Sequence, residues 1–440
     1  MTKYEPVIGL EVHVELNTKT KMFCACSADY FGKEPNTHTC PVCLGLPGAL
    51  PYINQEAIEK CMKIGLALNC TVQDKSLFER KNYFYTDLPK GYQISQLRWP
   101  LNVKGYLEVT GKDGKKTKIG INRAHQEEDT GKLTHQGSET LVDFNRSGVP
   151  LVEIVTEPDF TDTEQIRDYA KQLRDIFRNL GVSAADMEKG DMRLEANISV
   201  RPVGQKELPP YRVELKNINS FRFMVAAVEF EIKRQIKALE AREKLHQETR
   251  GWNETKHETY LQRSKEEAND YKYFPEPDLP VLIVDQDLVE KLGQEAQSAL
   301  PQARANDIAT SFGIPQEVAA TMIRQKSSGF FEALVPKLKS VNIDPVQAAS
   351  LIINKKIDWQ NISINQAVNQ LKGQKSAGAL SNSKLEKIID QTVLENEKSV
   401  SDYKSGKENA IQPLIGQVMR KTAGSADAKL VRSLLEEKLR

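Results

Sequence analysis

The sequence predicts an α+β body followed by an all-helical end. Before Pro301, short alternating segments broken by Gly, Pro and Asn carry the period-two pattern of strands, with two helical patterns between them. After Pro301 the strand pattern disappears and apolar residues recur three and four apart. A small-residue stretch, Ser376-Ala-Gly-Ala-Leu-Ser-Asn382, then separates two helical patterns, and its composition favours a flexible connection. The 440 residues have room for two to four domains at roughly 150 residues each. The expected domains are 1–299, 300–382 and 383–440.

In chain order, strands are expected over residues 4–16, 141–145, 149–155, 194–200 and 213–216, and helices over 163–180 and 222–250. Beyond Pro301, helices are expected over 302–312, 316–325, 330–338, 365–371, 383–397 and 428–439, with Gly or Pro in the gaps. No repeat of fixed period and no low-complexity segment stands out.

A hydrophobic share of 39% with 28% charged residues excludes disorder along the whole length. The 61 basic and 60 acidic residues leave a net charge of +1, so bulk attraction to nucleic acid is not indicated. That balance hides a division, since from Leu300 onward 20 basic and 14 acidic residues give +6 and leave −5 for the rest. Residues 1–16 carry acids and a histidine where a signal peptide needs an apolar run, and no run reaches membrane-span length. A reducing, cytoplasmic compartment is expected, with no membrane partner.

All six cysteines lie between Cys24 and Cys70, which points to one local site rather than a disulfide framework. Cys24-Ala-Cys26, thirteen residues and Cys40-Pro-Val-Cys43 have the spacing of a tetrahedral four-thiolate centre, whose usual occupant is Zn²⁺. Such a centre has no open coordination position, so its role is structural. His38 inside the loop is a weaker substitute ligand, and Cys61 and Cys70 fit the core.

In Gly9-Leu-Glu-Val-His-Val-Glu-Leu16 the strand period puts Glu11, His13 and Glu15 on one face and Leu10, Val12, Val14 and Leu16 on the other. Arg193, Glu195, Asn197, Ser199 and Arg201 alternate in the same way, and further acids stand at Glu127, Glu128, Asp129, Asp143, Glu153 and Glu157. Strands offering acids from one face describe a polar cavity, against the commoner alternative of a solvated sheet face. Acidic sheet faces suit Mg²⁺ and a nucleotide-dependent phosphoryl transfer. No Walker A sequence and no Gly-x-Gly-x-x-Gly after a strand is present, so phosphates would meet side chains such as Arg80, Lys81, Arg146, Arg201 and Lys216.

Arg80-Lys-Asn-Tyr-Phe-Tyr85, Gly91-Tyr-Gln-Ile-Ser-Gln96, His125-Gln-Glu-Glu-Asp-Thr-Gly-Lys132, Val142-Asp-Phe-Asn-Arg-Ser-Gly-Val-Pro150, Glu214-Leu-Lys-Asn-Ile-Asn-Ser-Phe221 and Asp270-Tyr-Lys-Tyr-Phe-Pro-Glu-Pro-Asp278 follow in order. Together with residues 7–16 they resemble GatB, the B component of the tRNA-dependent amidotransferases, over almost the whole chain. The ending, from Asp402-Tyr-Lys-Ser-Gly-Lys407 onward, resembles that family's YqeY-like tail.

The resemblance implies a cradle domain like glutamine synthetase, with a mixed or antiparallel sheet, then a helical domain and the small tail. It implies ATP-dependent phosphorylation of the side-chain carboxylate of glutamate or aspartate misacylated on tRNA(Gln) or tRNA(Asn), followed by displacement with ammonia. The implied partners complete a heterotrimer: the family's amidase component, which supplies ammonia through a tunnel, and its small third component, which ties the other two together. Carried onto this sequence, the family's Mg²⁺ site falls on Glu11, His13, Glu128 and Glu153, with Glu127 as an outer or second-metal group. Arg80, Lys81 and Lys216 then stand near phosphates. Tyr83, Phe84 and Tyr85 are candidates to stack on terminal tRNA bases, and Arg420, Lys421, Lys429 and Arg432 form the candidate tail surface. The chain departs from the family between 336 and 383, where it is shorter. The four cysteines belong to only some members, so zinc rests on the spacing here. Two rivals are a glutamine-synthetase-type ligase that does not use tRNA and a noncatalytic zinc-bearing RNA-binding protein.

Overall fold

A computed structural model describes residues 4–264, 271–338, 343–377, 382–422, 426 and 428–439. The chain divides into two compact units, Met1–Ala303 and Arg304–Arg440.

The first unit is built on a nine-stranded mixed sheet. Its strands are β1 (Tyr4–Glu15) and the short β2 (Thr71–Val72), then, after β3 (Lys75–Ser76), β4 (Glu79–Asn82) and β5 (Tyr92–Ser95), the hairpin β6 (Asn102–Thr110) and β7 (Lys116–Glu128). After a second hairpin, β8 (Lys132–Gln136) and β9 (Glu139–Asp143), come β10 (Pro150–Thr156), β11 (Met192–Pro202), β12 (Val213–Ile218), β13 (Glu248–Asn253) and β14 (Glu258–Ser264). Across the sheet the order is β14-β13-β12-β11-β1-β10-β7-β6-β2. Neighbours run antiparallel except β12 and β13. That parallel pair needs a crossover, which α3 (Phe221–Glu240) supplies.

One face of the sheet is apolar. Leu10, Val12 and Val14 of β1 are buried in a core shared with α1 (Gln55–Ala67), α2 (Thr163–Asn179) and α3. The caps are written in the sequence: Asn54 accepts from Ala57 N at the start of α1, and Asp162 with Gln165 forms a capping box on α2. The pattern expected to stay helical over 222–250 ends at Glu240, because Arg242 takes a left-handed φ of 59° and the chain then extends into β13. The opposite face of the sheet is polar. A three-stranded sheet, β15 (Lys272–Pro275), β4 and β5, supplies the residues facing it, while β16 (Leu282–Ile283) pairs with β3 and α4 (Gln286–Ala299) follows.

The second unit is helical among its described residues: α5 (Pro301–Phe312), α6 (Gln316–Arg324), α7 (Ser328–Leu338), α8 (Pro345–Ile353), α9 (Ile364–Ala377), α10 (Asn382–Glu395), α11 (Glu397–Lys404), α12 (Ile411–Lys421) and α13 (Ala428–Leu439). It holds two separate hydrophobic clusters, one centred on Ile308, Phe331, Leu334 and Ile352, the other on Leu385, Ile389, Leu414, Val418 and Leu435. The helix expected over 383–397 is divided at Asn396, whose backbone leaves the helical region and whose side chain pairs with Gln417. Part of the expected connection at 376–382, residues 378–381, lies outside the described residues. No helix among the described residues is long and apolar enough to cross a membrane.

Candidate active site and metal centre

Strand register assembles the site. His13 of β1 lies opposite Glu153 of β10 and Arg193 of β11, and Glu153 lies opposite His125 of β7. Directly opposed residues share a face, so these side chains and Glu127, two positions beyond His125, gather on the polar side. One ligand atom each of His13, Glu127 and Glu153 lies within 4.8 Å of the others. His125 Nε2 stands 3.1 Å from Glu153 Oε2 and 3.4 Å from Glu127 Oε1, bracing both carboxylates. Ser95 Oγ donates to Glu127 Oε1 at 2.6 Å and Gln93 Nε2 to Oε2 at 3.3 Å.

A second carboxylate group, Glu11, Glu195 and Glu214, adjoins the first because Glu11 stands one strand period from His13 on β1 and opposite Glu195 of β11. Lys216 Nζ binds Glu195 at 2.9 Å and Glu214 at 3.1 Å, and Asn197 Nδ2 donates to Glu11 at 2.8 Å. His13, Glu127, Glu153, Glu11 and Glu195 line one cavity of about 390 Å³, which Lys81, Arg193, Lys216 and Arg263 edge with positive charge.

The electrostatics follow from crowding. Burial pushes Glu153 up, but the hydrogen bond and charge of His125, with His13 and Lys81, hold its carboxyl well below the usual range. Glu127 is lowered as well, since Lys81 and His125 outweigh burial and the charge of Glu153. Lys81 is raised despite its burial because Glu127, Tyr273 and Glu153 surround it. Glu11 is raised, first by burial and then by Glu153 and Glu195. Glu127 and Glu153 are thus held toward the ionised form beside Glu11, whose ionised form burial and neighbouring carboxylates disfavour.

The predicted residues do not all meet here. Glu128 faces away from Glu127, accepts from Ile94 N at 2.9 Å and pairs with the buried Lys90, so it does not join His13 and Glu153. Adjacent positions on a strand point to opposite faces, which is why Glu127 stands where Glu128 was expected. Arg80, on the other side of β4 from Lys81, is held by Glu276 at 2.7 and 2.8 Å rather than reaching the cavity. Arg146 binds the carbonyls of Thr130 and Gly131 behind the cavity wall. Arg201 pairs with Glu5 eight residues along β11 from Arg193, too far to touch a phosphate here. Lys81 and Lys216 do line the cavity, as do Tyr83 and Tyr85. Tyr83 packs edge-on against Tyr271 at 5.4 Å, while Phe84 is 93% exposed.

Sequence reasoning missed His125, Lys90, Arg263 and Tyr271. The signal for His125 was present, since one strand period links it to Glu127 and separates both from Gln126 and Glu128.

The four cysteines converge as their spacing predicts, with Sγ atoms of Cys24, Cys26, Cys40 and Cys43 within 4.8 Å of one another. The Cys43 thiol is brought down to about 4, first by the Cys24 hydrogen bond and then by the charge of Lys21, while burial pushes Cys26 up to about 11. This donor set fits a thiophilic divalent metal. Cys61 and Cys70 are buried in the core, and His38, which does not join the four-cysteine group, donates its backbone N–H to Asn145 Oδ1 at 2.7 Å.

In the tail, Arg420 is exposed and has no ion pair among the described residues. Lys421 pairs with Glu395 and Arg432 with Glu436. The Lys429 side chain lies outside the described residues.

Acidic strands facing a cation-edged cavity define a carboxylate-rich, metal-fitted site on a large mixed sheet. The description "GatB/GatE catalytic domain" matches residues 6–290 and "GatB domain" matches residues 330–439. The chain is similar to proteins named as the B component of aspartyl/glutamyl-tRNA(Asn/Gln) amidotransferase. It is 43% identical to that of Thermoanaerobacter pseudethanolicus, over 99% of each chain, and 44% identical to that of Thermodesulfovibrio yellowstonii, over 98% of each. Identity to the protein of Carboxydothermus hydrogenoformans is 41%, over 100% of this chain and 99% of the relative. The chain belongs to the GatB family.

Proposed function

We propose that this chain amidates the aspartate or glutamate carried by misacylated tRNA(Asn) or tRNA(Gln), as the relatives' shared name describes. ATP phosphorylates the side-chain carboxylate, and ammonia from a partner amidase displaces the phosphate. The observation that carries the reading is the meeting of His13, Glu127 and Glu153 in a cavity edged by Lys81, Arg193 and Lys216.

The donor set of one imidazole and two ionised carboxylates fits Mg²⁺, with the Glu11, Glu195 and Glu214 group fitting a second ion. Held by these residues, Mg²⁺ would supply positive charge to offset that of the phosphates. The protein's own part is positional. His125 holds Glu127 and Glu153 in place, Lys81 and Lys216 place positive charge where phosphate oxygens arrive, and the small sheet screens one side of the cavity from water. Tyr83 and Tyr85 at the cavity's edge offer faces for the terminal bases.

The same reading assigns zinc to the four cysteines as a structural staple. It places the chain in the cytoplasm, in a heterotrimer with the amidase and the small third component. It divides the chain into a glutamine-synthetase-like cradle at 1–299, a helical domain at 300–382 and a tail at 383–440, a division supported by the three separate hydrophobic clusters. The test is ATP-dependent amide formation on both misacylated tRNAs by the reconstituted complex. Amide formed only with ATP and misacylated tRNA supports the reading; activity on free glutamate alone supports the tRNA-independent ligase.

A further inference from the structure

Lys21 is only 1% exposed, and among the described residues no carboxylate pairs with it. Its Nζ points at Cys43 Sγ, 3.7 Å away, and donates to Phe144 O at 3.3 Å. A buried ammonium is costly unless negative charge lies beside it. Four thiolates around one divalent cation leave two net negative charges, which is the missing counter-charge.

Phe144 belongs to a segment knitted to the cysteine loop. Asn36 N donates to Asp143 Oδ1 at 3.0 Å and Asn36 Oδ1 accepts from Phe144 N at 2.8 Å. Asn145 accepts from His38 N at 2.7 Å and donates to Glu34 O at 2.7 Å. One residue on, Arg146 grips the carbonyls of Thr130 and Gly131, and Thr130 lines the reaction cavity. At Gly148, whose φ is +88°, an added Cβ would stand 3.4 Å from Lys21 and 3.5 Å from Cys43, so the segment lies against both.

We propose that Lys21 is the positioning residue of the four-cysteine centre. Its ammonium offsets the charge of the metal-bound thiolates and, through Phe144, fastens the centre to residues 143–147 and so to the Thr130 wall of the reaction cavity. The inference rests on the zinc reading above.

The full-length chain tests it with zinc alone as the probe. Lys21→Met is expected to release zinc to a chromogenic chelator about 10- to 100-fold faster than wild type, the range found when a partner of a metal ligand is removed. In the cobalt-substituted protein the thiolate charge-transfer band is expected to move to longer wavelength, because the sulfur loses a hydrogen bond that a merely structural lysine would not supply. An unchanged release rate or an unmoved band overturns the assignment. Should Lys21→Met fail to fold, wild type decides: stripping zinc should speed amide exchange across 143–147 but not at the β8–β9 turn. Equal exchange with and without zinc overturns the coupling. Wild type purified without zinc in its reduced state sinks the zinc reading itself, which is a separate result.

Discussion

Glu127 and Glu128 are neighbours in sequence and opposites in role. Glu127 meets His13 and Glu153 over the cavity, whereas Glu128 turns to the other side of its strand, where Lys90 pairs with it in a buried setting. Glu127→Gln should therefore lower ATP-dependent amidation by about 10- to 100-fold and cost less stability than loss of Glu128, because Lys81 and His125 keep Glu153 beside them. Glu128→Gln strands a buried ammonium and should lower stability by about 3 kcal/mol in denaturant unfolding. Equal stability losses would contradict this division of labour. At this scale the sequence was half legible. Alternation in residues 9–16 showed which side chains of β1 share a face, but the acidic run at 127–129 gave no phase of its own, and only its step from His125 resolves it. Arg80 and Arg201 were named for charge alone, and partners nearly two hundred positions away, Glu276 and Glu5, hold both elsewhere.

Elements with a clean period and a written cap were the legible ones. β1, α2 and β11 stand within two residues of their expected bounds. The β6–β7 hairpin was not visible. Lys104 adopts a left-handed φ of 56° beside Gly105 and breaks the alternation of β6, and β7 ends in His, Gln and Glu residues buried for the site rather than for the core. α8, α11 and α12 were missed because their short apolar patterns face small local clusters, and the helix expected to reach residue 397 stops at Glu395 before Asn396. Close approach of elements also sets a constraint that only the structure reveals. At Gly65 in α1 an added Cβ would lie 2.2 Å from Asn102 of β6, whose amide donates to Cys61 O and Ala124 O. Gly65→Ala should thus destabilise the first unit by about 1–3 kcal/mol, read as a fall in Tm. An unchanged Tm would show that α1 and β6 can part without cost.

Across the whole molecule the near-zero net charge is a sum of opposites, with +6 in the stretch from Leu300 and −5 before it. Phosphate contacts give affinity that weakens with salt, so the basic end is where salt dependence should originate. Of the tail cations, Lys421 and Arg432 already pair with glutamates, whereas Arg420 is exposed and without an ion pair among the described residues. Arg420→Ala should lower tRNA affinity and reduce the slope of log affinity against log salt by about 1, with a smaller change for Lys421→Ala. An unchanged slope in Arg420→Ala would remove that residue from the tRNA surface. The most direct test of the central claim is single-turnover amidation of misacylated tRNA by the reconstituted complex, with ATP and ammonium, comparing wild type with Glu153→Gln. Wild type should form amide and phosphate together, while Glu153→Gln should bind the tRNA yet form neither at a measurable rate. Amide formation by Glu153→Gln at the wild-type rate would contradict the site.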